Sequence, residues 1–336
     1  MQRHITFAAA TVLSLALSAC GTHHHDPLEK FYLVTPNIKT DYWHEGWAGF
    51  NHAAFTLGTG VQSGLAGPDT FDPQAEVQEF RTVMSLKPAG ILVAAADETA
   101  MKAPINDAIA QGIPVITIDS DVPDSKRLTF IGTNNYQAGV MGGRVLAERL
   151  HGKGDIVVYT IVGQENAEDR LRGYKSVLEN HPQIKIVRTV DVKGDPRIAF
   201  DTTVEIVKGK PIPDGFISLI GSAGPEVADV LDRNHVTGKV VVAMDTLSTT
   251  LDWIKKGGIA ATIAQKPYTM GEFGMMMLDA LHHYKLPQLD ANWAQDTHSP
   301  FPAFVDTGAT LIDQTNLDVF RKAQAASEAA AAAAAK

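Results

Sequence analysis

Four apolar, strand-like runs in this sequence are each followed by a polar residue of a type that binds hydroxyl groups. The runs and their polar residues are 31–35 with Asn37, 113–118 with Asp119, 240–244 with Asp245, and 261–264 with Gln265. Carboxylates accept hydrogen bonds, and side-chain amides both donate and accept them. The combination indicates a pocket for a neutral molecule that carries several hydroxyl groups.

The elements that position these residues alternate between strands and amphipathic helices. A helix is expected over residues 42–57, and a second helix begins at Asp72-Pro73, an N-cap followed by proline. Residues 90–96 form a continuous apolar run, which is typical of a strand buried on both faces. In open α/β sheets, ligands bind beyond the carboxyl ends of the strands. Two successive α/β sets predict an α/β fold of two similar doubly wound parallel-sheet lobes, with a ligand cleft between them.

The composition restricts the class of protein. With 336 residues, the chain is long enough for two α/β domains, each with its own core. The formal charge of -9 disfavours a nucleic-acid partner, which requires a basic face. No interior run approaches the roughly 20 apolar residues that span a bilayer.

The N-terminal residues have the pattern of an export signal over residues 1–19, in which Arg3 and His4 precede a short apolar stretch. Leu17-Ser18-Ala19-Cys20 resembles the bacterial lipobox, which implies that Cys20 is diacylated and anchors the protein in the cell envelope. The alternative is an ordinary small-residue cleavage site beside a cysteine. Because Cys20 is the only cysteine, no disulfide can form within the chain.

Two terminal segments are expected to lie outside the folded lobes. Residues 20–29 are interpreted as a flexible lipidated tether, and residues 322–336 as an alanine-rich tail. The tether contains His23-His24-His25, but three histidines on a mobile backbone lack the fixed geometry of a metal site. We therefore predict no metal site and no cofactor.

Six short segments appear in the order found in one protein family. They are Asn37-x4-Tyr42-Trp43, residues 115–121, residues 130–135, Arg170-x-x-Gly173-Tyr174, Asp245, and residues 261–265. Together they resemble the periplasmic sugar-binding proteins of the ribose/galactose type, whose fold is periplasmic-binding-protein-like I and is shared with the ligand domains of LacI-like repressors. The resemblance covers about residues 30–320. A signal sequence stands where a repressor would carry its DNA-binding helices, and this disfavours the repressor alternative.

The resemblance implies three crossings between the lobes, near Thr133, near Ala264 and within residues 292–299. The N-terminal lobe would then comprise residues 28–133 and 265–293. The C-terminal lobe would comprise residues 134–264 and 294–321.

The resemblance also implies roles for residues of the first lobe. Tyr42 and Trp43 would pack against the C–H face of a sugar ring, and the alternative for each is core packing. Asp119 in this lobe and Asp245 in the second would accept hydrogen bonds from vicinal hydroxyls, and the alternative is that they cap the following helices. The ribose-binding pattern has an arginine after the first aspartate. Here Ser120 and Asp121 follow, so Asp121 is expected to add an acceptor to the site.

Five further residues complete the predicted ligand-binding site. Arg170 would donate to sugar oxygens, unless it forms a surface ion pair with Glu168 or Asp169. Asn166 lies one helical turn before Arg170. The side-chain amides of Asn37 and Gln265 could bind hydroxyl groups, and their alternatives are a turn residue and a hinge residue. Ser222 is a hydroxyl residue that follows a strand.

The sequence favours a binding protein over an enzyme. It contains no nucleophile–base motif and no metal spacing such as His-Glu-x-x-His. Asp119 and Asp245 as a glycosidase pair are a weaker alternative. We predict the monomeric solute-binding component of an ABC importer for a monosaccharide or neutral polyol, working with a permease in the inner membrane. The alternative is a sensor subunit that presents a sugar, nucleoside or autoinducer-like ligand to a membrane receptor.

Overall fold

The computed structural model describes residues 25, 29–283, 297–299 and 301–334. The predicted signal segment and Cys20 lie outside these residues. In the described part of the chain, no helix is long and apolar enough to cross a membrane.

The first lobe is a six-stranded sheet in the order β11-β5-β4-β3-β1-β2, with every neighbouring pair parallel. Its elements in the first part of the chain are β1 (Glu29–Val34), α1 (Asp41–Leu57), β2 (Val61–Ala66), α2 (Pro73–Ser85), β3 (Gly90–Val93), α3 (Glu98–Ala110), β4 (Val115–Ile118) and β5 (Phe130–Gly132). The predicted start of α2 is confirmed, because the Asp72 side chain accepts hydrogen bonds from the backbone of Gln74 and Ala75.

The second lobe is also a six-stranded sheet, in the order β12-β10-β9-β8-β6-β7, and only β12 runs antiparallel to its neighbour. Its elements are α4 (Asn135–Arg149), β6 (Lys153–Thr160), α5 (Glu165–Leu178), β7 (Gln183–Asp191), α6 (Pro196–Lys208), β8 (Gly215–Ser218), α7 (Ala223–Arg233), β9 (Val240–Met244), α8 (Ser248–Lys256) and β10 (Ala261–Ala264). The chain then continues through α9 (Pro267–His283), β11 (Phe304–Asp306), β12 (Thr310–Asp313) and α10 (Leu317–Ala334).

Each sheet is covered by helices on both faces. In the first lobe, one core cluster joins the sheet to α1 and α9, and another joins it to α2 and α3. In the second lobe, α4 and α5 cover one face, and α6, α7 and α8 cover the other. The central strands are buried along their whole length, which explains their continuous apolar runs. The predicted fold of two doubly wound lobes is confirmed.

The third crossing between the lobes differs from the sequence-based expectation. Residues 304–306 were assigned to the C-terminal lobe, but β11 pairs with β5 in the first sheet, and Phe304 stacks on Phe130. The chain reaches the second sheet only at Thr310, so this crossing lies at residues 307–309 rather than within 292–299. Residues 292–296 lie outside the described part.

Candidate ligand-binding site

Asp119 and Asp245 occupy equivalent positions in the two lobes. Asp119 follows β4 and donates its backbone N–H to Ile131 on β5, and Asp245 follows β9 and donates in the same way to Ile263 on β10. Both residues have left-handed backbone angles, with φ of 62° and 65°. A non-glycine residue rarely adopts this conformation, and strain of this kind concentrates at functional sites. The strained turns place both residues at the carboxyl ends of the sheets, where Asp119 is buried and Asp245 is half-buried.

The Asp119 carboxylate is held by donors from both lobes. Tyr42 at the start of α1 donates its hydroxyl to Asp119 Oδ1 at 2.6 Å. Asn166 on α5 of the second lobe donates its side-chain amide to Asp119 Oδ2 at 2.9 Å. The Asn166 amide carbonyl is buried and has no hydrogen-bond partner in the described part of the chain. The cleft is therefore closed at this point, and one acceptor remains available inside it.

Arg170 is buried in the second lobe and donates to three oxygen atoms. Its Nε donates to Asn135 Oδ1 at 2.8 Å, one terminal nitrogen donates to the Leu219 carbonyl at 2.8 Å, and the other donates to Gln265 Oε1 at 2.9 Å. The Gln265 amide in turn donates to Asp245 Oδ1 at 2.8 Å. A buried network therefore connects the arginine to the second aspartate through Gln265.

This arrangement excludes the surface ion pair considered for Arg170. Only 3% of Arg170 is exposed. Asp169 pairs instead with Arg172, which also donates to Glu165. Arg170 is thus a buried cation beside the buried Asp119 and the half-buried Asp245.

Burial dominates the acid–base properties of the cluster. It raises the pKa of Asp119 to about 6, although the Arg170 guanidinium and the Tyr42 hydroxyl oppose the shift. Burial also raises the pKa of the Asp245 carboxyl and that of the Tyr42 phenol. Hydrogen bonds to a carboxylate favour its charged form. A ligand that donates hydroxyl hydrogens here would therefore stabilise both charged carboxylates.

The two adjacent aromatic residues point in different directions. Tyr42 reaches Asp119, whereas Trp43 is buried in the core of the first lobe and contacts the Tyr42 ring edge-to-face at 5.1 Å between centroids. Successive helical residues face different sides, so only one of them can reach the carboxylate. Trp43 therefore packs in the core, as its alternative role predicted.

Asp121 has a different role from the one expected. Arg127 donates through Nε to Asp121 Oδ1 at 2.8 Å and through a terminal nitrogen to Oδ2 at 2.6 Å. The Thr117 hydroxyl and the Val122 backbone also donate to Oδ1. Both oxygens are therefore occupied by protein donors, and Asp121 is part of a structural ion pair rather than an additional acceptor for ligand.

Two other predicted residues do not join the hydrogen-bonded cluster in the described structure. The Asn37 side-chain oxygen Oδ1 accepts a hydrogen bond from the Lys39 backbone N–H at 2.8 Å. Asn37 therefore has the turn role that was its alternative. Ser222 is the half-buried N-cap of α7 and makes no side-chain capping bond. Its neighbour Gly221 does lie beside the cluster, because a Cβ atom at Gly221 would be 2.6 Å from an Asp245 carboxylate oxygen.

The sequence interpretation missed Asn135 and the Leu219 carbonyl as partners of Arg170. Asn135 follows another asparagine, Asn134, whose side chain caps α4 by accepting from the Gln137 backbone. Since one asparagine suffices as the cap, the second was the signal for a separate role. A backbone carbonyl such as that of Leu219 leaves no signal in residue type.

Residues 31–285 match the family described as "Periplasmic binding protein domain". The D-allose-binding periplasmic protein of Escherichia coli is 24% identical over 301 residues, which are 86% of this chain and 95% of that protein.

Two solved structures share the fold over nearly their whole length. An arabinose binding protein from Geobacillus stearothermophilus is 32% identical with a TM-score of 0.70, over 87% of this chain and 99% of that one. An ABC transporter solute binding protein from Burkholderia graminis, in complex with D-arabinose, is 26% identical with a TM-score of 0.77. The match covers 86% of this chain and 96% of that one. With its two doubly wound lobes and an interlobe cluster of strand-end residues, the chain belongs to the periplasmic binding protein family.

Proposed function

We propose that this protein is the solute-binding component of a bacterial ABC importer and that it binds a monosaccharide or a related neutral polyol between its lobes. The observation that carries the proposal is the interlobe cluster in which the buried Asp119, Asn166 and Arg170 meet the half-buried Asp245. Its carboxylates, amides and guanidinium match the donors and acceptors of a sugar's hydroxyl groups.

The charge of the cluster supports a neutral ligand. One buried and one half-buried carboxylate face one buried guanidinium, and Arg170 already donates to Asn135, Leu219 and Gln265. An anionic ligand would add a third negative charge to a desolvated site, and such a charge is costly without a further cation. Hydroxyl groups can donate to Asp119 and Asp245 without this cost.

The two-lobed architecture supplies the mechanism. A ligand that contacts Asp119 in the first lobe and Arg170 in the second makes its full set of contacts only when the lobes are closed. Such a ligand shifts the population toward the closed state by its differential affinity for that state. An ABC permease that recognises the closed form would then receive the sugar. Neither binding nor closure requires a chemical step, so we propose that the protein is not an enzyme.

The relatives support the same ligand class, since the proteins compared above bind D-allose or arabinose according to their descriptions. A thermal-shift screen should therefore find stabilisation by a neutral pentose, hexose or cyclic polyol. A ligand at a hundredfold excess over Kd stabilises the folded state by about 2.7 kcal/mol. The hit should be recovered chemically unchanged, and Arg170→Ala should abolish its effect while Arg172→Ala retains it. Stabilisation by amino acids or anions alone would overturn the sugar assignment, and conversion of the hit to a product would overturn the binding-protein assignment.

We also propose lipidation of Cys20, based on the Leu17-Ser18-Ala19-Cys20 segment. Cys20→Ala should abolish labelling by a fatty-acid analogue in a bacterial host, while Ser18→Ala retains it. Recovery of the wild-type protein without an acyl group from a host that processes lipoproteins would overturn this part of the proposal.

A further inference from the structure

A compact cluster of metal-ligating side chains lies at the N-terminal entry to the first lobe. It consists of His25, Glu29 at the start of β1, and Asp279 and His283 in the last turns of α9. One potential ligand atom from each residue lies within 4.8 Å of all the others. His25 was expected to belong to a flexible tether, but its side chain is 8% exposed and contacts Asp279. His25 is therefore held against the lobe.

The distances within the cluster are close to those between the ligands of a tetrahedral metal ion. His25 Nε2 is 2.9 Å from Asp279 Oδ1, His283 Nδ1 is 3.2 Å from the same oxygen, and His283 Nε2 is 3.1 Å from Glu29 Oε1. Four ligands at about 2.0–2.1 Å from Zn²⁺ lie about 3.3 Å from one another. His283 faces Asp279 with Nδ1 and Glu29 with Nε2, so only one of its ring nitrogens would bind the ion, and binding would draw the four ligand atoms, now within 4.8 Å of one another, to this spacing.

Several elements hold the ligands in place. Asp279 and His283 are four residues apart, so they share one face of α9. The rings of His25 and His283 meet edge-to-face at 5.0 Å between centroids. The backbone of His25 is seated against Gly60, where a Cβ atom would lie 2.5 Å from the His25 carbonyl oxygen. The site is therefore built from three positions of the fold and not from one mobile run of histidines.

The chemistry of the donors selects the class of metal. Two imidazoles and two carboxylates favour Zn²⁺ and similar transition-metal ions over Mg²⁺ and Ca²⁺, which prefer oxygen ligands alone. The two carboxylates balance the charge of a divalent ion when both histidines are neutral. The C-terminal end of α9 adds the negative end of the helix dipole.

We propose that His25, Glu29, Asp279 and His283 form a Zn²⁺ site that fastens the N-terminal segment to the first lobe. The site is separate from the ligand cleft. Gln265 of the cleft lies just before the start of α9, and this 17-residue helix carries the cluster about 25 Å away at its other end. All four ligands belong to the first lobe or to the segment before it. Zinc binding should therefore raise the stability of the protein without changing its affinity for a sugar.

The test is calorimetric titration of Zn²⁺ into the mature protein, purified without a histidine tag. We expect one ion per chain, with affinity reduced by about tenfold or more in Asp279→Asn and His283→Ala. The matched control is the double variant His23→Ala/His24→Ala, which should keep the wild-type affinity. X-ray absorption of the zinc complex should show nitrogen and oxygen ligands only, and Mg²⁺ should not compete.

Two measurements keep the test decisive if a variant at α9 folds poorly. His25→Ala changes a residue that precedes β1 and lies outside every helix and strand, and this variant should also lose zinc while keeping its sugar-induced thermal shift. Sugar-induced thermal shifts on every variant report whether the cleft is intact, so failure of the zinc site and failure of the proposed sugar site are distinguishable. Unchanged zinc affinity in Asp279→Asn, His283→Ala and His25→Ala would overturn the proposal. Loss of affinity only in the His23/His24 variant would do the same.

Discussion

At the scale of single residues, burial sets the behaviour of the carboxylates. Asp119 is buried and Asp245 half-buried at the cleft beside Arg170, and Glu76 is buried in the first turn of α2. One Glu76 oxygen accepts from the Ala96 backbone at 2.8 Å, and the other has no partner in the described part of the chain. Burial raises the pKa of Glu76 to about 8, against the opposing effect of the Ala96 hydrogen bond. The same desolvation thus acts at the site and away from it.

Glu76 should make the protein less stable as the pH rises. Its pKa in the folded state, about 8, lies above the value of 4.5 expected for an unfolded chain, so the folded state binds the proton more tightly. The stabilisation is complete below pH 4.5 and is lost as the pH rises toward 8, by several kcal/mol at about 1.4 kcal/mol per pKa unit. Glu76→Gln should therefore flatten the decline of melting temperature between about pH 5 and pH 8.

Glu79→Gln on the same helix is the control for this pH experiment and should keep the wild-type decline. If Glu76→Gln kept it as well, the stability loss would arise elsewhere in the molecule.

Two aspartates only two positions apart should behave in opposite ways. Asp119→Ala should weaken sugar binding by about 2–5 kcal/mol, because Tyr42, Asn166 and ligand hydroxyls lose their acceptor. Asp121→Ala should instead lower the free energy of unfolding by about 3–5 kcal/mol, because it leaves the nearly buried Arg127 unpaired. Calorimetry and denaturant unfolding on both variants measure the two effects. Equal losses of affinity would show that Asp121 also contacts the ligand.

At the scale of elements, pairs of helices approach closely through glycine. A Cβ atom at Gly139 on α4 would lie 2.0 Å from the Arg170 carbonyl on α5, and one at Gly173 on α5 would lie 2.1 Å from the Tyr136 carbonyl. The first lobe repeats this contact between Gly49 on α1 and Tyr268 on α9. The position of Arg170 in the cleft therefore depends on how closely α4 and α5 pack.

Gly139→Ala should separate α4 from α5. Alanine favours a helix over glycine by about 1 kcal/mol, but the clash with the Arg170 backbone should outweigh this gain and lower the free energy of unfolding by about 1–3 kcal/mol. Sugar affinity should fall too, because Arg170 moves with α5. Gly209→Ala is the matched control. Gly209 has a φ of -79°, and the atoms nearest to a Cβ added there would lie 3.4 Å away or more. Its free energy of unfolding and its sugar affinity should therefore stay near the wild-type values. A Gly139→Ala protein as stable as wild type would contradict this account of the packing.

At the scale of the whole molecule, closure of the lobes connects binding to transport. The Asp119–Asn166 hydrogen bond joins the lobes directly, and Gln265 follows the second crossing of the chain between them. Without a ligand, closure buries the Asp119 carboxylate with Tyr42 and Asn166 as its side-chain donors, and the cost of burying this charge favours an open cleft. A sugar offsets the cost by donating to Asp119 and to the half-buried Asp245.

Small-angle scattering should record this closure as a decrease in the radius of gyration when sugar is added. Asn166→Ala should require more sugar for the same decrease, because it removes the direct bond between the lobes. Asn180→Ala, an exposed change just beyond the end of the same helix, should behave as wild type. A radius of gyration that does not change with sugar would contradict closure on ligand.

Much of the fold was predictable from local patterns. Central strands such as β3 and β4 are buried on both faces, so their continuous apolar runs identify them. The edge strand β2 (Val61–Ala66) was missed, because it is only half-buried and its residues are of mixed polarity. The strand-end positions of Asp119 and Asp245 were predictable from the apolar runs that precede them, and their role in ligand binding stays a prediction.

The tertiary structure alone decided which of two similar residues near each other in the sequence reaches the cleft. It placed Tyr42 at the carboxylate and Trp43 in the core, and it gave Asp121 to Arg127. It also joined His25 to Asp279, which is 254 positions away. Apolar periodicity and strand ends are local properties, so the sequence by itself determined the buried elements and the edge of each sheet where a ligand is expected to bind. Contacts between distant residues depend on how the finished elements pack, and no local pattern records that packing.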